Sequence, residues 1–218
     1  MQESFVIVNS QLAWVEQLEA VQRACFPTLA EDEIITAAHY AAHIQRFPEG
    51  QFAVIEQASG RVVACSTDFR TTVDFTHFDH RYIDAVGHNW LSHHNPAGDW
   101  LYGADIGVLP AYRQRGLATR LYQERRALVR RLGLKGQVAG GLLRGYGPYK
   151  AIMSAETYVA NVVAGAIFDP TLSVQLKCGF TIHGIMHQYV DDPMCDGKAA
   201  FIVWHNSVYE AAFQASQT

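Results

Sequence analysis

The residues of this chain best suited to chemistry lie between Val108 and Tyr122, VLPAYRQRGLATRLY. The stretch leaves an apolar segment, passes through a proline-containing turn and a basic run with one glycine, and enters a helix. A helix start leaves its first backbone N–H groups without intrahelical partners, and the macrodipole adds partial positive charge there. Gly116 has no side chain to hold a ligand off that backbone, and Ala118 is nearly as small. Arg113 and Arg115 add charge, and Thr119 adds a hydroxyl. The backbone from Arg115 to Thr119 therefore suits the diphosphate of a nucleotide-bearing ligand. A Walker loop is excluded because no Gly-Lys-Ser/Thr follows. The three-glycine spacing and downstream acid of a dinucleotide-binding βαβ unit are also missing.

The elements that must position this segment follow from periodicity and punctuation. Phe5–Val8 reads as a short strand, and Ser10 as the cap of a helix with Leu12, Val15, Leu18, Val21 and Cys25 on one face, ended by Pro27. A second helix is expected over Glu31–Phe47, stopped by Pro48. Phe52–Glu56 and Val62–Phe69 read as strands joined at Ser59–Gly60. Residues 70–99 read as an irregular insertion rich in histidine. Leu101–Val108 is the central strand, and Leu117–Leu132 the helix behind the phosphate segment, buried along Leu117, Leu121, Leu128 and Leu132. Arg120–Arg131 read as its solvated face. Gln137–Gly141 is a strand whose Gly140 and Gly141 imply close approach by a ligand or another segment. A second insertion spans 142–165, with Ser154 capping a helix that ends at Gly165. Asp169-Pro170 starts the next helix and Gly179 ends it. Phe180–Tyr189 and Ala199–Trp204 form a final hairpin. The class is α+β with a mixed sheet, in one domain over 1–218.

Composition narrows the function. Apolar residues make up 49% and charged residues 17% of the 218, as in a globular domain with a sizeable core. The net charge of −4 gives no general basic character, so nucleic acid is not an expected partner. No secretory leader and no membrane-length apolar run are read, and Cys25, Cys65, Cys178 and Cys195 are scattered without C-x-x-C spacing. A reduced, cytoplasmic chain with its cysteines in the core is expected.

Val108, Pro110, Tyr112, Arg113, Gly116 and Ala118, with the helix behind them, resemble the acyl-CoA signature R/Q-x-x-G-x-G/A of the GNAT superfamily of N-acetyltransferases. LYGADIGVLPAYRQRGLATRLYQERRALVRRLGLKGQVAGG and AGAIFDPTLSVQLKCGF are similar to the acetyltransferase half of bacterial proteins that fuse this domain to a carbon–nitrogen hydrolase. The resemblance is strong over about 99–205 and weaker before it, and no fused hydrolase is expected within the 218 residues. It implies a mostly antiparallel central sheet flanked by helices, with strands four and five splayed around the acyl-CoA arm. It implies acetyl-CoA as co-substrate, with the backbone of Ile106, Gly107 and Val108 on the pantetheine and carbonyl. Arg113, Gln114, Arg115, Gly116, Leu117, Ala118 and Thr119 would then hold the pyrophosphate. Many relatives carry a tyrosine acid four residues before the glycine of the last Gly-Phe; that position is Gln175 here, which cannot protonate a thiolate.

Transfer to an amine needs a base, because a free alkyl ammonium has a pKa of about 10.4. The central strand offers Tyr102 and Asp105. Alternation puts Tyr102, Ala104 and Ile106 on one face and Asp105 on the other, unless a bulge shifts the register. Asp105 is read as a base or as a hydrogen-bonded structural acid. His183 and His187 share a face of the penultimate strand, either as base or as half-buried strand residues. Tyr146 and Tyr149 are candidates for the substrate wall or for loop packing, and Gln175 is placed with the substrate-binding residues. No metal is expected, although His77-Phe78-Asp79-His80 has permissive spacing. Cys178 has no triad around it. The reading is an N-acetyltransferase acting on a small-molecule or amino-acid-like amine, with a homodimer compatible. The alternatives are a non-catalytic acyl-CoA-binding regulatory domain and a partner of a carbon–nitrogen hydrolase.

Overall fold

Alternating and β-branched runs build the strands. The computed structural model describes residues 4–209 and 211. Its strands are β1 (Phe5–Asn9), β2 (Gln51–Glu56), β3 (Arg61–Thr71), β4 (Trp100–Val108), β5 (Gly136–Leu142), β6 (Thr181–Met186) and β7 (Ala199–His205). They form one sheet in the order β1-β2-β3-β4-β5-β7-β6. Neighbours are antiparallel except β4 and β5, which are parallel. The helices are α1 (Val15–Cys25), α2 (Ala37–Arg46), α3 (Tyr82–Ala85), α4 (Leu117–Arg131), α5 (Ala155–Val163) and α6 (Leu172–Lys177). A parallel pair needs a crossover, and α4 supplies it. This is the α+β architecture with a mixed sheet expected from the residues, mostly antiparallel as the resemblance implies.

Helix starts differ from the expectation in two places. A 3-10 turn at Leu12–Trp14 precedes α1, so Ser10 is not its cap. Glu31–Glu33 form a separate turn, and α2 begins after Thr36 and His39 close a reciprocal capping box. Asp169 does act as a cap, accepting from the Thr171 and Leu172 amides at 2.8 and 2.7 Å.

Two irregularities of the sheet shape the site. The β4–β5 ladder runs from Trp100–Gly136 to Gly103–Ala139. Beyond it β4 continues to Val108 and β5 to Leu142, and the strands part. The glycines of β5 are explained by protein packing. A Cβ on Gly140 would collide with the Tyr189 ring, and one on Gly141 with the Gln175 amide.

The second irregularity is a bulge. Thr67 pairs with Asp105 while Asp68 pairs with Gly103, leaving Ala104 as the extra residue. The alternation reverses there, so Asp105 shares the face of Tyr102. Arg125 of α4 holds this bulge. Its Nε lies 2.9 Å from Asp68 Oδ1, and its Nη2 donates to the Thr67 carbonyl at 3.2 Å and to the Asp105 carbonyl. A Cβ at Gly103 would stand 2.9 Å from the guanidinium. Arg125 is 1% exposed, which corrects the solvated-face reading of Arg120–Arg131. It occupies the position between Leu121 and Leu128 on the helix's own buried stripe.

Candidate active site

β4 ends in a 3-10 turn at Pro110–Tyr112, and two left-handed residues follow, Gln114 (φ +62°) and Gly116 (φ +75°). Left-handed residues set among right-handed ones gather successive N–H groups into a concave, anion-binding nest. A non-glycine residue in this region costs about 1 kcal/mol or more, which Gln114 bears. Gly116 caps α4, and the first rung of the helix runs from the Arg120 amide to the Gly116 carbonyl at 3.1 Å. The amides of Leu117, Ala118 and Thr119 stand ahead of that rung. A Cβ built on Gly116 meets nothing within 4 Å, so the space before these amides is open.

A cleft of about 610 Å³ runs from this nest along Ile106, Gly107 and Val108, with Pro170, Thr171 and Val174 on its far wall. At Ile106, Tyr122 and Gln175 it meets a smaller chamber of about 90 Å³ within the gap between β4 and β5. Asp105, Gln22, Tyr82 and Tyr189 line that chamber.

Burial pushes the Asp105 carboxyl up to about 7, against the lowering effects of Arg125, the Ile106 amide and the Tyr40 hydroxyl. With its amide nitrogen turned to the acid, Gln22 donates to both carboxyl oxygens at 3.1 and 3.2 Å. At the junction, Gln175 Nε2 donates to the Tyr122 hydroxyl at 3.1 Å. The phenol's own proton is left to point elsewhere. Burial raises the Tyr122 pKa, so it is a neutral phenol at physiological pH.

The structure brings most of the expected ligand-binding residues together. Ile106, Gly107, Val108, Arg113, Gln114, Gly116, Ala118 and Thr119 line the cleft. Leu117 offers its amide, while its side chain is buried in the core. Arg113 folds back through Nε onto the Val108 carbonyl, and Arg115 onto the Ala111 carbonyl and the Tyr112 ring. Asp105 reaches the chamber. Tyr102 stands one residue behind it, its hydroxyl 2.9 Å from that of Tyr189.

Other candidates are placed elsewhere. His183 is the extra residue of a bulge in β6, and its Nε2 lies 2.9 Å from the Phe75 carbonyl, among Phe75, Phe78 and Phe201. His187 is exposed, 3.6 Å from Glu156. Tyr146 and Tyr149 pack on Tyr158, and Tyr146 donates to the Met153 carbonyl at 3.0 Å. They support the second insertion and do not wall the chamber. The sequence reading missed Tyr122, Tyr189, Gln22 and His80. Tyr122 was detectable, because it adjoins Leu121 on the buried stripe of α4.

The acetyltransferase (GNAT) family model matches residues 15–139. The chain belongs to the GNAT acetyltransferase family. This GNAT chain is an acyltransferase, and an acyl-CoA is its co-substrate. It is 29% identical to an uncharacterized N-acetyltransferase, YkwB, of Bacillus subtilis (strain 168), over 96% of this chain and 92% of that protein. It is 33% identical to a probable hydrolase, YhcX, of the same organism, over 95% of this chain, but it spans 40% of that protein's length. Among solved structures, the GphF GNAT-like decarboxylase in complex with isobutyryl-CoA superposes with a TM-score of 0.74 at 20% identity, covering 92% of this chain and 98% of that one. That likeness is one of fold. Among the described residues no helix is long and apolar enough to cross a membrane.

Proposed function

We propose that this GNAT enzyme transfers the acetyl group of acetyl-CoA directly to the primary amine of a small-molecule or amino-acid-like acceptor. The observation that carries the reading is continuity: the nest at Gly116, the cleft along β4 and the acid-bearing chamber form one path through the splayed strands. The nest amides hold the diphosphate, and the backbone of Ile106–Val108 guides the pantetheine arm. Asp105, its carboxyl raised by burial to about 7, draws a cationic acceptor into the low-dielectric chamber in its ionised form. The neutral amine attacks the thioester carbonyl; as the C–S bond breaks the thiolate takes the Tyr122 proton, and the proton lost from the acylated nitrogen restores the phenol. Gln175 orients that phenol through its amide, so the acid that Gln175 itself cannot supply comes from the neighbouring helix.

The fold likeness to GphF raises decarboxylation of the acyl group as a competing activity. Asp105 argues against it, because a second carboxylate on the acyl chain would sit beside the chamber's own acid. The likeness to YhcX supports the alternative of a chain that partners a hydrolase. One assay separates these readings: release of CoA thiol from acetyl-CoA across a panel of primary amines, with malonyl-CoA alone as the second arm. Amine-dependent release with an N-acetylated product supports the proposal. Carbon dioxide release from malonyl-CoA without amine favours decarboxylation. Tight acetyl-CoA binding with no turnover would leave a regulatory or partner role.

A further inference from the structure

The first insertion reaches back into the site. His80, in the segment between β3 and α3, places Nε2 2.7 Å from the Tyr102 hydroxyl, and its Nδ1 2.6 Å from the Phe78 carbonyl. A carbonyl can only accept, so Nδ1 carries the proton in neutral His80, and Nε2 is a lone pair. Tyr102 must then donate to His80. Having spent its proton there, it accepts from Tyr189 at 2.9 Å. Tyr189 lines the chamber. One carbonyl thus fixes the sense of the whole chain: chamber, Tyr189, Tyr102, His80.

We infer that Tyr189, Tyr102 and His80 form a one-way proton relay that deprotonates the acceptor ammonium, with His80 as its terminal base. The inference rests on the amine-acetylation reading of the same site. An ammonium N–H bond breaks toward the Tyr189 oxygen. The Tyr189 proton passes to Tyr102, and the Tyr102 proton to His80 Nε2. The products are a neutral amine, two neutral phenols and an imidazolium, which half-buried His80 returns to solvent. No phenolate persists, in keeping with burial, which raises both tyrosine pKa values.

The groups facing the relay are compatible with it. Asp79 and Asp84 on its own segment favour the imidazolium, while burial keeps His80 below the ordinary imidazole pKa and so neutral at rest. Tyr102 and Tyr189 meet it from β4 and from the segment after β6, and Phe201 of β7 closes it with an apolar ring. Glu33 and Asp105 also act on Tyr189 through their charge, and in their ionised forms they favour a positive charge entering the chamber. The Tyr82 amide donates to the Tyr189 carbonyl at 2.6 Å, so the insertion is tied to the residue that begins the relay. That gives the 70–99 insertion a positioning role in the chemistry.

The test combines nitrogen-15 NMR of the imidazole with pH profiles of acetyl transfer for wild type, His80→Gln and Tyr102→Phe. The relay predicts the Nδ1–H tautomer for resting His80. It predicts that both variants lose on the order of 10²-fold in kcat at neutral pH. Both should also lose the acidic limb of the profile that wild type shows below the usual imidazole range, with unchanged acetyl-CoA affinity. An Nε2–H tautomer, or variant profiles that superpose on wild type, would overturn the relay while leaving transferase activity in place. A wild-type enzyme that acetylates no amine would instead overturn the reaction on which the relay rests. Tyr102→Phe keeps the ring that stacks on Phe69 at 4.9 Å, so it tests the relay even if His80→Gln fails to fold.

Discussion

Substituting Gly116 separates charge from shape at the phosphate nest. Gly116 sits at φ +75° as the N-cap of α4, and a Cβ there meets nothing within 4 Å. Asn and Asp are the non-glycine residues that tolerate the left-handed region, and both are good N-caps. The strain of about 1 kcal/mol is offset by capping, so Gly116→Asn and Gly116→Asp should both melt within a few degrees of wild type. They have the same size and differ by one charge. A carboxylate about 4 Å from one diphosphate charge costs roughly 1 kcal/mol at the dielectric of water and roughly 4 at an effective value of 20. The loop is solvent-exposed, so the lower half of that range applies, or about a 5- to 70-fold loss of acetyl-CoA affinity for Asp relative to Asn. Titration calorimetry at 0.05 and 1 M salt reads this directly, and the gap between the two variants should shrink at high salt. Equal affinities for Gly116→Asp and Gly116→Asn at low salt would refute the assignment of the diphosphate to these amides.

Other expectations address the acids and the buried arginine. Tyr122→Phe should lower kcat by about 10²-fold while leaving acetyl-CoA affinity unchanged, as steady-state kinetics with direct titration would show. Asp105→Asn should raise the acceptor KM by about tenfold or more, since a hydrogen-bonded charge pair is lost. The same variant carries a pH signature. The Asp105 pKa is raised from 3.8 to about 7, so between those values the folded state holds a proton that the unfolded state has released. Wild type should therefore lose stability relative to Asp105→Asn as pH rises through that window, and melting temperatures that run parallel from pH 4 to 8 would contradict the burial argument. Arg125→Met strands the Asp68 carboxylate and should cost about 3–5 kcal/mol in chemical denaturation, with recovery in the Asp68→Asn double variant.

The phosphate segment was legible because its chemistry is local: a glycine, two arginines and a helix start lie within a few residues. The order of strands and helices was legible for the same reason, through periodicity and capping. What escaped depends on register. One extra residue at Ala104 moves Asp105 to the face of Tyr102, and one at His183 takes that histidine out of alternation. Neither bulge has a composition signal of its own. Arg125 shows a different failure. Its charge argued for solvent, while its position between Leu121 and Leu128 argued for burial, and the spacing was the better guide. Tyr189 and His80 come from segments more than a hundred residues apart, and only the assembled fold brings their rings together behind the chamber.

A crystal structure of the enzyme with coenzyme A tests the central claim most directly. The account predicts the diphosphate within hydrogen-bond distance of the Gly116–Thr119 amides and the sulfur beside Tyr122, at the mouth of the chamber holding Asp105. Coenzyme A bound away from the α4 N-terminus, or with its sulfur outside the gap between β4 and β5, would contradict it.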